Sequence, residues 1–131
     1  MKGNQNKDLV SYRLTKARET MNEINLHLAN ELWNTAVNRL YYACFYAVSA
    51  LLLSFDIQAR THSGVRQMFG LHFIRSGLVD KELGKFYSDL FDKRQTSDYD
   101  DYVEITKEEV IDFIKPANQL ISKIENLINE P

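Results

Sequence analysis

Cysteine is nearly absent from this sequence, which has a single one at Cys44. No internal disulfide can form, so the chain is expected in a reducing compartment. Cys44 lies in the middle of an apolar run, where we expect a buried and inert thiol, because reactive cysteines need partly exposed, electropositive surroundings. The N-terminal residues MKGNQNKDLV contain no apolar stretch that could serve as a signal peptide. These features predict a cytoplasmic protein.

Proline and glycine are also scarce, with two and five copies. No segment shows the strict alternation of apolar and polar residues that is typical of a half-buried strand, which argues against a β fold. The 131 residues therefore predict one all-α domain over 1–131, an up-and-down bundle of about five helices. We expect the helices at about 7–28, 30–54, 62–76, 80–98 and 106–129.

Local signals support several of these boundaries. Asn30 is predicted as the N-cap of the second helix and Asp80 as that of the fourth. Thr106 and Glu109 have the spacing of a capping box, so the fifth helix should begin there. Gly77 is a suitable residue just after the third helix. Pro116 is expected to kink the fifth helix.

Two further glycines lie inside the third predicted helix. Gly64 and Gly70 each weaken an isolated helix by up to about 1 kcal/mol relative to alanine. We interpret both as positions where a neighbouring element approaches closely.

The longest charge-free run spans the 16 residues from Leu40 to Phe55 and is flanked by Arg39 and Asp56. A helix that crosses a bilayer needs roughly 20 apolar residues. The run therefore predicts the central helix of a soluble bundle, with no membrane segment.

Several function classes lack support in the sequence. The formal net charge of −2 argues against a surface devoted wholly to nucleic acid. There is no Gly-rich phosphate loop, no CxxC pair and no HExxH helix, so P-loop and zinc enzymes are not indicated. We predict neither a metal nor a cofactor.

Charged residues on apolar helix faces are the most informative feature. The inner stripe of the fourth helix continues to Arg94 and Asp98, which are spaced to pair with each other. Arg39 shares one face of the central helix with Tyr42 and Tyr46. Charges in such positions are costly unless they are paired. If the two helices pack together, these five residues form one polar pocket.

This pocket has two interpretations. In the first, Arg39 and Asp98 make a buried structural salt bridge that a tyrosine hydroxyl completes. In the second, the two arginines bind phosphate and the tyrosines stack against a base. His62, at the start of the third helix, could then add an anion contact or a group that exchanges protons.

Three blocks of sequence stand out by their order and spacing. They are AVNRLYYACFYA over 36–47 followed by 50–53, then THSG over 61–64, and finally Arg94 with Asp98 and Tyr99. Together these blocks resemble the HEPN domain (higher eukaryotes and prokaryotes nucleotide-binding), in particular its small stand-alone prokaryotic branch. The resemblance covers nearly the whole chain.

The resemblance implies a fold similar to the C-terminal domain of kanamycin nucleotidyltransferase, usually assembled as a homodimer. Many such proteins are encoded beside a minimal nucleotidyltransferase and look like the toxin half of a toxin–antitoxin pair. Active members are metal-independent ribonucleases in which an arginine is followed closely by a histidine, with two sites converging across the dimer interface. Arg94 matches that arginine, but the positions expected for the histidine hold Tyr99, Asp100 and Asp101.

The missing histidine leaves the enzyme question open, because a tyrosine with a pKa near 10 does not exchange protons easily at neutral pH. The main hypothesis is a helical partner protein that binds a nucleotide, an RNA or its cognate nucleotidyltransferase. A divergent ribonuclease using Arg94 and Asp98, with His62 of a second copy as a substitute base, is one alternative, and a structural dimer module is another. Tyr99 or Tyr102 could also accept a nucleotide from the partner. The predicted binding residues are Arg39, Tyr42, Tyr46, His62, Arg94, Asp98 and Tyr99.

Overall fold

The computed structural model describes residues 4–99 and 104–129, with side chains from 6 to 96 and from 104 to 129. Within these ranges the chain is an all-α bundle with no β-strand, which confirms the predicted fold class. Its elements are α1 (Asn4–Asn22), α2 (Ile24–Ala29), α3 (Trp33–Ser54), α4 (His62–Phe69), a π-helical segment (Gly70–Ile74), α5 (Lys81–Tyr99) and α6 (Lys107–Asn129).

The central helix of the bundle is α3, as its charge-free sequence predicts. It contacts each of the other five α-helices. Ala43, Ala47 and Ala50 are fully buried on it, and such small side chains allow neighbouring helices to pack closely. By length and composition α3 could cross a membrane, but 67% of its most apolar window is buried inside the bundle. Cys44 is also fully buried, and burial raises the pKa of its thiol, as expected for an inert cysteine.

The capping box at the start of α6 is confirmed. The backbone N–H of Glu109 donates to Thr106 Oγ1 at 3.1 Å, and the N–H of Thr106 donates to Glu109 Oε1 at 3.4 Å. Ile105, just before the cap, and Val110, in the first turn of α6, are both buried, as in a hydrophobic staple. From this start α6 runs without interruption through Pro116.

The N-terminal part of the bundle differs from the prediction. The first predicted helix is divided at Glu23 into α1 and α2. Asn30 is not the N-cap of α3, because its side-chain amide donates back to the carbonyl of Leu26 at 2.8 Å and so helps to end α2. Glu31 then takes a left-handed conformation with φ of 57°, and α3 begins after Leu32. The chain therefore uses the asparagine to stop one helix and not to start the next.

Glycine marks a close contact, but at a position that was not predicted. An alanine Cβ at Gly70 would meet no atom within 4 Å, so the expected close approach there is wrong. A Cβ added at Gly64 would lie 3.0 Å from its nearest neighbour, Oγ1 of the N-cap residue Thr61. The tight packing occurs at Gly84 on α5, where a Cβ would lie 2.8 Å from Cδ1 of Ile74. Gly77 has φ of +83°, which agrees with its predicted role after the third helix.

Candidate functional site

The ring of Tyr42 is the point at which the predicted pocket residues meet. Cζ of Arg39 lies 5.8 Å from its centroid, and Cζ of Arg94 lies 5.9 Å from it. The imidazole of His62 meets the same ring edge to face at 5.7 Å, and the ring of Tyr46 lies 6.1 Å away. Five of the seven predicted residues are thus brought together in what we call the Tyr42 cluster.

The other two predicted residues, Asp98 and Tyr99, lie at the end of α5, and their side chains are outside the described residues, as is Tyr102. The proposed bridge from Arg39 to Asp98 therefore stays a prediction. The structure gives Arg39 another acidic neighbour, because its Nε lies 3.8 Å from Oε2 of Glu23 at the break between α1 and α2.

Tyr41 is the residue that the sequence analysis missed. It is fully buried, and its hydroxyl lies 2.8 Å from Nδ1 of His62. Cζ of Arg94 lies 4.7 Å from the centroid of the same ring. Tyr41 therefore joins a guanidinium on its face to an imidazole at its hydroxyl. The signal in the sequence was the tyrosine pair itself, of which only Tyr42 falls on the helix face that carries Arg39.

His62 is held in place from two sides. It is the first residue of α4, whose N-cap Thr61 accepts a hydrogen bond from the N–H of Gly64 at 2.8 Å. Its ring stacks on Phe45 with the centroids 4.3 Å apart and the planes at 22°. Desolvation, and secondly the positive charge of Arg94, lower the pKa of His62 below its usual value. The imidazole is therefore neutral at physiological pH while remaining partly exposed.

The protonation state of Tyr41 determines which hydrogen bonds its hydroxyl can make with His62. Desolvation raises the pKa of Tyr41 to about 12, so its hydroxyl stays protonated at neutral pH. If Nδ1–H of His62 donates to Tyr41, Nε2 is free to accept a proton, and in the other tautomer Nε2–H is a donor. Either way the outer nitrogen of the ring remains available for a ligand.

Together the cluster offers three kinds of interaction. The guanidinium groups of Arg39 and Arg94 suit phosphate oxygens. Half-buried Tyr42 and Tyr46 offer faces on which a base can stack. His62 supplies a neutral imidazole. Among the described side chains, those of residues 6–96 and 104–129, no three His, Cys, Asp or Glu are grouped so that they could hold a metal ion.

Comparison with known proteins gives a consistent family. The HEPN domain model matches residues 10–127. A UPF0332 protein of Thermotoga maritima is 43% identical over 97% of this chain and 96% of its own length. Two proteins of Methanocaldococcus jannaschii, both named as candidate toxins, are 36% and 30% identical over 88% and 99% of this chain and 80% and 98% of their own lengths. With nearly its whole length matched, the chain belongs to the HEPN domain family, in its small prokaryotic branch.

Proposed function

We propose that this protein is the toxin-like member of a two-protein pair and that its Tyr42 cluster binds RNA through a phosphate and an adjoining base. The observation that carries the proposal is the position of two guanidinium groups, those of Arg39 and Arg94, within 6 Å of the centre of one half-buried tyrosine ring. The names of the two Methanocaldococcus relatives support a toxin-like role.

The burial of the two arginines suggests different tasks. The side chain of Arg39 is 29% exposed and can reach a phosphate from solution. Arg94 is only 8% exposed, so its charge acts from beneath the tyrosine rings. A charge in such a region of low dielectric constant is screened less than one on the surface. Arg39 and the outer nitrogen of His62 would then contact the phosphate, while Arg94 supplies a fixed positive potential.

Binding can be tested by titrating a labelled single-stranded RNA and measuring fluorescence anisotropy. We expect Arg39→Gln to weaken binding at least about tenfold, because hydrogen bonds to charged groups contribute about 1.5–3 kcal/mol. Arg75→Gln is the matched control, since Arg75 is exposed and lies outside the cluster. Equal affinities of the two variants would refute the proposed site. RNA that does not bind at all, together with a large loss of thermal stability in Arg94→Met, would favour the structural dimer module.

The partner in this proposal is a minimal nucleotidyltransferase that acts in the same cytoplasm as the toxin. Induced expression of the chain alone should slow growth, and co-expression of a small nucleotidyltransferase from the neighbouring reading frame should relieve the effect. Arg39→Gln should be harmless without the partner. Growth inhibition that persists undiminished in this variant would separate the toxicity from the Tyr42 cluster.

A second candidate function, RNA cleavage, is favoured by the path from Arg94 through Tyr41 to His62. Cleavage requires attack of a 2′-oxygen on phosphorus, loss of the 5′-oxygen of the next nucleotide and formation of a 2′,3′-cyclic phosphate. Nε2 of His62 would accept the 2′-hydroxyl proton and later return a proton to the leaving oxygen. The imidazole would come from the same chain, and not from a second copy as the sequence first suggested.

Cleavage can be tested with a single-stranded RNA and its 2′-deoxy analogue. Wild-type protein should cut only the RNA and leave a cyclic phosphate, whereas His62→Phe, purified in the same way, should be at least about 100-fold slower, as is common when a general base is removed. Cleavage that survives in His62→Phe would exclude this role. Binding without any cleavage would leave the protein as an RNA-binding partner only.

A further inference from the structure

A basic groove lies beside the Tyr42 cluster, between α1, α3 and the loop that leads into α4. Its volume is about 380 Å³, within the range of small ligand sites. Three cationic side chains line it, Arg13, Lys16 and Arg60, together with Tyr12 and Tyr46. We call it the α1 groove.

The positive charge of the α1 groove is not neutralised within the described part of the chain. Arg13, Lys16 and Arg60 form no ion pair there, and no acidic side chain lines the groove. Arg18, on the same helix but outside the groove, shows the contrast, since it is bound to Glu125 at 2.7 Å. Cationic clefts with walls of low dielectric constant concentrate the electric field and attract anions. The groove is therefore suited to a ligand with several negative charges.

Aromatic rings lie among these cations. Tyr12 is 61% exposed, more than any other tyrosine or phenylalanine whose side chain the structure describes. Tyr46 is half-buried on the opposite wall, on α3. Alternation of cations with exposed rings is the pattern by which proteins bind single-stranded nucleic acid, with phosphates on the cations and bases on the rings.

The groove and the Tyr42 cluster are continuous. Tyr46 lines the groove and also contacts the ring of Tyr42. Phe45 lines the groove and also carries the stacked imidazole of His62. A chain of nucleotides that leaves the cluster on this side would enter the groove directly.

We infer that the α1 groove binds the sugar–phosphate backbone and bases of single-stranded RNA next to the nucleotide at the Tyr42 cluster. This inference rests on the proposed RNA binding and specifies the ligand further. It requires an unpaired strand, because bases in a duplex are stacked on each other and cannot lie against Tyr12 and Tyr46. It also requires more than one nucleotide, because the cations of the groove lie outside the cluster.

The test compares two triple variants that remove the same charge. One is Arg13→Gln, Lys16→Gln and Arg60→Gln in the groove. The other is Lys107→Gln, Lys115→Gln and Lys123→Gln, which removes three exposed cations from α6. Binding of a labelled single-stranded RNA is measured at a series of salt concentrations. The groove variant should reduce the salt slope by about 2, since each phosphate contact on a single strand contributes about 0.7, and the α6 variant should keep the wild-type slope.

Tyr12→Ala tests the aromatic part separately and should weaken binding about tenfold with an unchanged slope. If wild-type protein binds no RNA, both proposals fail together. If RNA binds, and Arg39→Gln weakens it while the groove variant keeps the full slope, the groove inference alone is overturned. A groove variant that becomes monomeric in sedimentation velocity while keeping the slope would assign the groove to a second copy, which also overturns the inference.

Discussion

The hydrogen bond between Tyr41 and His62 gives the most direct test of the site. Tyr41→Phe removes only the hydroxyl oxygen that lies 2.8 Å from Nδ1 of His62. The ring itself keeps its stacking on Tyr87, at 6.0 Å, and its contact with Arg94. The change therefore removes one hydroxyl from an otherwise intact core. Because that hydroxyl also interacts with Tyr87, the bond to His62 has to be separated by a double-mutant cycle.

The expected loss follows from the burial of the two partners. Tyr41 is fully buried and His62 is partly exposed, so His62 can recover some of the lost bond from water. A typical hydrogen bond contributes about 0.5–1.5 kcal/mol to stability. We expect Tyr41→Phe to lower the free energy of unfolding by about 1 kcal/mol. The melting temperature should fall by about 3–5 °C.

The assay is urea unfolding at pH 7.5 of wild type, Tyr41→Phe, His62→Phe and the double variant. The losses of stability in Tyr41→Phe and His62→Phe should not add in the double variant. We expect a coupling energy of about 0.5–1.5 kcal/mol between them, because both changes remove the same bond. Tyr42→Phe is the matched control, since Tyr42 makes no hydrogen bond within the described residues. Single effects that add to within about 0.3 kcal/mol, or an equal loss in Tyr42→Phe, would refute the bond.

Three further predictions concern packing and pH. In the same urea assay, Gly84→Ala should lower the free energy of unfolding by about 1 kcal/mol, because overpacking against Ile74 outweighs the gain in helix propensity. Gly70→Ala should raise the free energy of unfolding, because a Cβ at that position meets no neighbour. The hydrogen bond from Lys93 is the main cause that lowers the pKa of Glu109, so stability should decline as pH falls below about 4.5, and Glu109→Gln should lack this decline in melting curves. The pKa of His62 is also lowered, so stability should decline as pH falls below about 6.5, and a His62→Phe curve as steep as wild type would contradict this.

The helical architecture was predictable because its signals are local. The capping box at Thr106 and the left-handed glycine at Gly77 each act within a few residues of their own position. Asn30 shows where local signals become ambiguous. An asparagine side chain can accept a bond at the start of a helix or donate one at the end, and the sequence does not say which. In this structure Glu31 takes a left-handed conformation, and the amide of Asn30 donates to the carbonyl of Leu26 at the end of α2.

The site was predictable only in part, because it depends on which helices are neighbours. Periodicity placed Arg39, Tyr42 and Tyr46 on one face of α3, and the structure brings them together. Tyr41 is about 100° further around the helix. Its contacts with α4 and α5 depend on how the loop after α3 returns the chain, and periodicity carries no information on that. For the same reason, the sequence identified His62 as a candidate site residue but did not predict its contacts with Tyr41 and Tyr42.

The position of His62 changes what the absent motif histidine implies. The family resemblance implies an arginine followed closely in sequence by a histidine, with two sites that converge across a dimer. In this chain Arg94 lies on α5 and His62 on α4, and both contact Tyr41 within a single copy. A cation and an imidazole therefore meet at one tyrosine without a second chain. It follows that one copy of the chain holds this pair by itself. If RNA binds at the Tyr42 cluster as proposed, binding should depend on His62 and Arg39, and it should be the same whether sedimentation velocity finds the protein monomeric or dimeric.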